Sequence, residues 1–487
     1  MRLKILPQRF PWTHPLFWIL LLQPVVFYVV IPLLPTFDDW TYLTKPQVGD
    51  FDPSLLLPYK NYWRPFDGLM GYLVGRDLTL FPTFNHIVIL LAHLLNTFIL
   101  MGIAQKIHWN RQATNITLLF FYFSPAMLGT VLDIDSVNQA YALLWGLLTL
   151  RIAMSHSVHR RVWMGLTLFV AILCKENALC FLVIIPLFLY VFQQQSPRQV
   201  WRELLFLSAI GVGYLALRFS LPQDQAELGG VYVEGGMMQR LRNLGMYLAF
   251  TWIPVDFISL LHAPSRNGVM VGLTLVLGVP LYVQLFLCQR KHLASLPFWA
   301  LQLCAFCAAS VHLLTIFTVM HTYAGLAFTA LSIGYLAHHA SSSKSLKVTV
   351  ALWLLSATII DAHHIVKAYE SGMLGREMAR QVIEKTAHPA RKVKLLMVDD
   401  GYPRYSMFCV IPHEAFGWGE AVRYATGYEW PQQIECVKLA EADTCKITSL
   451  ADSAYAQHFD GVWVTYKGEV KVMEKINHFR TTAQSVL

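Results

Sequence analysis

LFWILLLQPVVFYVVIPLLPTFDDW, residues 16–40, runs from an apolar stretch straight into two adjacent aspartates, Asp38 and Asp39. The stretch from Leu16 to Leu34 is long enough to cross a bilayer as a helix, for which about 20 apolar residues suffice. A charged pair this close to hydrocarbon is costly unless it faces water or a polar cavity. The same loop then carries Tyr59-Lys60-Asn61-Tyr62-Trp63-Arg64-Pro65, a cluster of cations and aromatic rings. Carboxylates that take a proton, set beside cations that hold phosphate, suit chemistry on a lipid-linked phosphosugar at a membrane surface.

Outward from that stretch the chain keeps the same character. Of its 487 residues 55% are hydrophobic and 14% charged, against about 25% charged in an average soluble protein. Apolar runs recur at 87–103, 116–131, 137–150, 162–173, 178–192, 204–217, 269–287, 298–317, 324–336 and 348–360. With Leu16–Leu34 they predict a mostly α, polytopic membrane helical bundle of about 11 spans. Leu241 to Leu261 makes a twelfth if it crosses, but Pro254, Asp256 and the flanking arginines equally suit a re-entrant or interfacial helix.

Basic loops stay in the cytoplasm. With eleven spans Arg2, Lys4, Arg9, Lys106, Arg111, Arg151, Arg160, Arg161, Arg198, Arg202, Arg290, Lys291, Lys344 and Lys347 all fall on that side. The amino terminus is then inside and the carboxyl terminus outside. The net charge of +8 follows from those loops and gives no reason to expect a nucleic-acid partner. The first span lacks a small-residue cleavage site, so a cleaved signal peptide is not expected.

Composition changes near residue 362, which divides the chain into a membrane domain, 1–361, with a long first outer loop at 35–85, and a small extracytoplasmic α/β domain, 362–487. Val393 to Val398 reads as a buried strand. Val462 to Tyr466, a Lys467-Gly468 turn and Glu469 to Val472 read as a hairpin. Cys174, Cys180, Cys288, Cys304 and Cys307 read as small core residues. Among Cys409, Cys436 and Cys445 of the tail, a Cys436–Cys445 disulfide is open if the tail is extracytoplasmic.

The outer regions collect the chemistry-bearing residues. An aspartate of the Asp38–Asp39 pair is placed to activate a sugar hydroxyl; the bland alternative is a solvated loop start. Lys60 and Arg64 suit phosphate, Arg64 by its planar fork, while Tyr59, Tyr62 and Trp63 also match an interfacial aromatic belt. Asp133 and Asp135 support the catalytic acid, bind an acceptor or mark a polar turn. Lys175-Glu176 is either an ion pair that closes a hairpin or a phosphate contact, and Arg240 and Arg242 flank the ambiguous helix. His93 and His312 read as packing residues. No HExxH, GxGxxG or GxxxxGK[ST] is present, so a zinc-protease, ATP or nucleotide-sugar site of the soluble kind is unsupported.

Asp38-Asp39, Tyr62-Trp63-Arg64-Pro65, His93-Leu94-Leu95-Asn96 and Cys174-Lys175-Glu176 together resemble the GT-C superfamily of polytopic glycosyltransferases. The likeness is to bacterial relatives of protein O-mannosyltransferases and lipid A aminoarabinose transferases. His321-Thr322-Tyr323 stands where such chains often carry an Arg-Tyr motif, and no tetratricopeptide repeats follow. The resemblance covers the membrane part and implies an inverting transfer at the outer face of a bacterial inner membrane. It implies a polyprenyl-phosphate sugar donor, a protein, lipid or glycan acceptor, Asp38 as base, and Asp39 orienting the acceptor or a metal. A divalent ion, Mg or Mn, is the cofactor to consider. The alternatives are a lipid-linked glycan flippase, which calls for repeat symmetry and intramembrane charges, and an O-antigen-type polymerase, whose long loop comes late. The topology makes a direct prediction: reporters fused within the tail are active outside the cytoplasm, and activity only inside overturns the eleven-span arrangement.

Overall fold

In the computed structural model the described residues are 15–30, 32–36, 39–40, 56, 63–66, 68–69, 83–220, 236–253, 264–314, 318–341, 343–385, 393–400, 417, 421, 432–439, 461–466 and 469–473. For the strands the description is of the backbone. Cys409 and Cys445, and with them the open disulfide, lie outside the described residues.

A helix stands at each of the eleven apolar runs. They are α1 (Pro15–Val30), α2 (Thr83–Lys106), α3 (Arg111–Phe123) with the short α4 (Leu128–Val131), α5 (Val137–Ala153), α6 (Arg160–Cys174) and α7 (Phe181–Phe192). After these come α8 (Pro197–Ser220), α9 (Met237–Trp252), α10 (Pro264–Cys288), the one-turn α11 (Arg290–Leu293), α12 (Leu296–Ser310), α13 (Tyr323–His339) and α14 (Lys344–Lys385). Among the described residues four helices, α2, α8, α10 and α14, contain stretches long and apolar enough to cross a membrane, and α3 with α4 makes a fifth if their 48° bend is one broken span. The bend sits at Ser124-Pro125, where proline removes a donor and restricts the residue before it. The run expected as one span to residue 317 is shorter: α12 ends at Ser310 and continues as a 3-10 turn, Val311–Leu314. α9 has 16 residues, about 24 Å of helix, less than the hydrocarbon thickness of about 30 Å.

Small residues and polar clamps set the packing. A Cβ at Gly146 of α5 would run into the Phe181 ring, and one at Gly334 of α13 would run into Thr117 of α3 and the Trp109 ring. Thr149 and Thr167 join α5 to α6 by a hydroxyl–hydroxyl bond of 2.9 Å. In the core, His93 Nδ1 lies 2.8 Å from the Tyr323 hydroxyl, and Asn96 Nδ2 donates to that oxygen at 3.2 Å and to the Ala140 carbonyl at 3.1 Å. The expected packing role of His93 is thus a polar clamp on the start of α13. Of the core cysteines, Cys174, Cys180 and Cys304 are buried and Cys307 is half-buried, whereas Cys288 is exposed.

The bundle has a basic end. Arg151 packs on Gly102, Arg160 Nη1 donates to the Ala153 carbonyl at 3.1 Å, and both Arg160 and Arg161 hold the buried Glu203 of α8. Asn110 binds His338, and Ser295 binds Tyr335. These contacts tie the α2–α3, α5–α6 and α11–α12 connections to their neighbours.

The tail contains a four-stranded sheet of order β2-β1-β3-β4, made of β1 (Val393–Asp400), β2 (Gln432–Leu439), β3 (Gly461–Tyr466) and β4 (Glu469–Met473). β1 runs parallel to both β2 and β3, and β3 pairs antiparallel with β4. The strand at 393–398 and the 462–472 hairpin lie where the sequence puts them; β2 was not anticipated. Residues 361 and 362, where composition changes, lie inside α14, which runs unbroken for 42 residues.

The close glycine contacts give a stability prediction. Gly334→Ala forces a methyl group into Thr117 and should cost about 1–3 kcal/mol by overpacking. At Gly245 a Cβ meets nothing within 4 Å, so Gly245→Ala should leave the melting temperature of the purified protein unchanged or raise it.

Candidate functional site

At the other end of the bundle the chain gathers its acids. Asp39 is buried, 2% exposed, at the close of the turn that follows α1. Its Oδ2 accepts the Thr36 N–H at 3.2 Å and its Oδ1 accepts the Asp135 N–H at 3.0 Å. The Asp133 side chain hydrogen-bonds to it as well. Burial pushes Asp39 up to about 6, against the lowering pull of those hydrogen bonds. Burial first, and the charge of Asp39 second, raise Asp133 well above the carboxylate range. Two carboxyl groups in contact cannot both ionise cheaply, so the shared proton resides on Asp133 and Asp39 is the stronger acid.

Asp133 and Asp135 are brought here because α4 ends at Val131 and a 3-10 turn, Ile134–Ser136, leads into α5. Among the described residues no group of three His, Cys, Asp or Glu side chains forms a metal-ligand set. Each oxygen of Asp39 already accepts a backbone N–H, which leaves it poorly suited as a bidentate ligand.

The cations form a second cluster. Arg64 Nε donates to Glu176 Oε2 at 2.7 Å, and Arg218 Nη1 lies 3.6 Å from Glu176 Oε1. Burial favours a raised Glu176, but Arg64 and then Arg218 outweigh it and hold this carboxyl below its usual value. Next to Arg64, the Trp63 ring stacks on Tyr214 at 5.7 Å and 8°, and Tyr214 and Arg218 are one turn apart on α8. Lys175 caps the end of α6 in extended conformation, φ −159° and ψ 137°, and its Nζ donates to Asn138 Oδ1 at 3.3 Å. Asn177 Nδ2 donates to Gln139 Oε1 at 2.8 Å and lies 3.5 Å from His312 Nε2.

One turn bridges the two clusters. The 3-10 segment Val319–Thr322 lies against α4: Thr130 Oγ1 donates to the Met320 carbonyl at 3.2 Å, and Ser136 Oγ contacts the Met320 sulfur at 3.4 Å. The next residue, His321, stacks on His312 with centroids 3.8 Å apart and planes 11° from parallel. A path of contacts thus runs from Asp133 through Ser136, Met320, His321 and His312 to Asn177 and the cations.

Of the residues singled out in the sequence, Asp39, Asp133 and Asp135 come together, as do Arg64, Lys175 and Glu176. Arg240 and Arg242 stand exposed on α9, and among the described residues no ion pair joins them to either cluster. Asp38 and Lys60 lie outside the described residues. Sequence reasoning missed Arg218, which reads as the basic end of an apolar span, and it took His312 for mere packing. From the tail, Gly417, at φ 62°, lays its backbone against the Trp40 side chain next to Asp39.

No described protein family and no curated protein matches the chain. Among solved structures it is similar to the crystal structure of the Archaeoglobus fulgidus oligosaccharyltransferase in complex with zinc and sulfate. That likeness has a TM-score of 0.39 at 11% identity and covers 89% of this chain and 64% of that one. Stability should report the carboxyl pair. Both groups are raised in the folded state, so their contribution is full below the unfolded value near 4; that of Asp39 is lost as pH climbs through about 6, and that of Asp133 goes on falling at higher pH. Asp133→Asn keeps the hydrogen bond and removes one ionisation, so its melting temperature should fall less than wild type's between pH 5 and 8.

Proposed function

We propose that the protein transfers a sugar from a polyprenyl-phosphate-linked donor to a protein, lipid or glycan acceptor at the outer face of a membrane, the inner membrane of a bacterium. One observation carries the reading. The buried, hydrogen-bonded carboxyls of Asp39 and Asp133 and a cluster of guanidinium and ammonium groups stand at the same end of a helical bundle, joined by a single turn.

The chemistry follows from that arrangement. An ionised aspartate of the Asp38–Asp39 pair takes the proton of the acceptor hydroxyl as its oxygen attacks the anomeric carbon. The bond from that carbon to the phosphate oxygen breaks, and its electrons stay on the departing phosphate. Arg64 and Lys175, with Lys60 from the same loop, meet the charge that develops there, and the guanidinium fork fixes the phosphate by paired hydrogen bonds. Attack opposite the leaving group inverts the anomeric centre. Asp133 keeps its proton and donates to Asp39, which steadies the pair without removing the base. The GT-C resemblance points the same way.

Purified protein supplied with a defined polyprenyl-phosphate sugar tests this. Arg64→Ala should weaken donor binding while leaving the fold intact; unchanged affinity removes the phosphate role. Asp38→Asn should lower single turnover by roughly 10²–10⁴-fold, the usual contribution of general acid–base catalysis, with donor binding preserved. Asp39→Asn should be milder. The opposite ranking moves the base to Asp39, and full activity in both variants ends the catalytic reading of this loop.

A further inference from the structure

We infer that His321 completes the anion site beside Arg64 and Lys175 and takes up one proton from solvent when an oxoanion of the phosphate type binds there. The inference rests on the phosphate reading above and adds to it a titrating residue that neither the motifs nor the resemblance assigns.

The geometry singles out His321 within the stacked pair. His312 Nε2 lies 3.5 Å from the Asn177 amide, which already donates to Gln139, so this nitrogen is placed as an acceptor and its lone pair is engaged. Among the described residues, His321 Nδ1 is buried and meets no hydrogen-bond partner. A buried ring nitrogen left unsatisfied is costly, and a bound ligand or proton removes that cost. The ring also lies within the field of Lys175 and Arg64, the two cations that the phosphate reading uses.

The surroundings set the sign. Burial first, then His312, Lys175 and Arg64, hold His321 well below the ordinary histidine value, so it is neutral when the site is empty. The 3-10 segment of His321 packs against α4, which bears no ionisable side chain, and against α13, which brings Tyr323. It also packs against α9, where Tyr247 is buried while Arg240 and Arg242 face outward. Among the described residues, His312, Lys175 and Arg64 are the ionisable groups that act on it most directly. An arriving dianion reverses the dominant local charge. The imidazole lone pair then gains a proton, and the imidazolium donates through Nδ1 to the anion. A group protonated more readily in the bound state makes binding tighter at lower pH.

Detergent-purified full-length protein and inorganic sulfate, which does not titrate above pH 3, provide the test. The sulfate Kd should rise between pH 6.5 and 8 by up to ~10-fold per pH unit, the limit for one linked proton. Calorimetry at pH 7 in two buffers of different ionisation enthalpy should count close to one proton taken up. His321→Gln should abolish both signals while sulfate still binds, and His312→Gln should keep the slope. A flat wild-type profile with zero proton uptake overturns the inference, as does a His321→Gln variant that retains the wild-type slope. The calorimetric count on wild type stands even if a variant fails to fold. If Arg64→Ala leaves sulfate binding untouched, the phosphate reading falls and this inference with it. Farnesyl phosphate competing with sulfate supports a lipid headgroup as the natural ligand, and failure to compete overturns that source in favour of a free oxoanion.

Discussion

A single carboxylate, Glu176, draws together two guanidiniums from distant parts of the chain. Arg64 belongs to the first loop and Arg218 to the end of α8, and both reach the same side chain. Where water is scarce, a lone arginine is expensive and a lone glutamate no less so. Each of the three lowers the cost of placing the others there. The Trp63–Tyr214 stack adds an apolar contact to the same junction, so the loop is held to α8 by charge and by ring area at once. The placement of Arg64, and with it any anion-binding capacity, depends on this triad.

The acid cluster is organised by a different means. Asp39 is fixed by two backbone N–H groups from separate segments, Thr36 and Asp135, and Asp133 adds a side-chain contact. Hydrogen bonds from amides define a carboxylate's direction without adding charge, which leaves its ionisation open to burial and to its neighbour. The two clusters therefore sit side by side without neutralising one another. Between them runs the Val319–Thr322 turn, anchored at its far end by the clamp of His93 and Asn96 on Tyr323.

Much of this arrangement was legible in the sequence, for identifiable reasons. Apolar runs located a helix at every expected place, because in hydrocarbon the backbone must satisfy itself within each segment. Local punctuation was less visible: Pro125 breaks a run that composition alone reads as continuous, and α12 stops at Ser310. Asp39, Asp133, Arg64, Lys175 and Glu176 stood out because charge is rare in such a chain. Arg218 did not, since a basic residue at the end of an apolar helix has an ordinary explanation in the interfacial rule. The stacking of His312 on His321 joins residues from two separate turns, and no periodicity announces a contact of that kind. β2 stayed hidden because Gln432 to Leu439 lacks the unbroken apolar run that marks β1.

The helix that closes the membrane region is longer than any membrane requires. At 1.5 Å per residue its 42 residues extend about 63 Å, roughly twice the hydrocarbon thickness of about 30 Å. Leu34, just past the end of α1, touches it at Gly372, well along its length. A rod of this kind acts as a lever whose fulcrum is its packing against α10, where Trp353 meets Tyr282 and Ser356 meets the Thr274 carbonyl. A tilt of about 5° about that point would carry the far end roughly 4 Å sideways, given the rise per residue of a helix. Small adjustments among packed side chains inside the bilayer are thereby converted into displacements the size of an atom's diameter outside it.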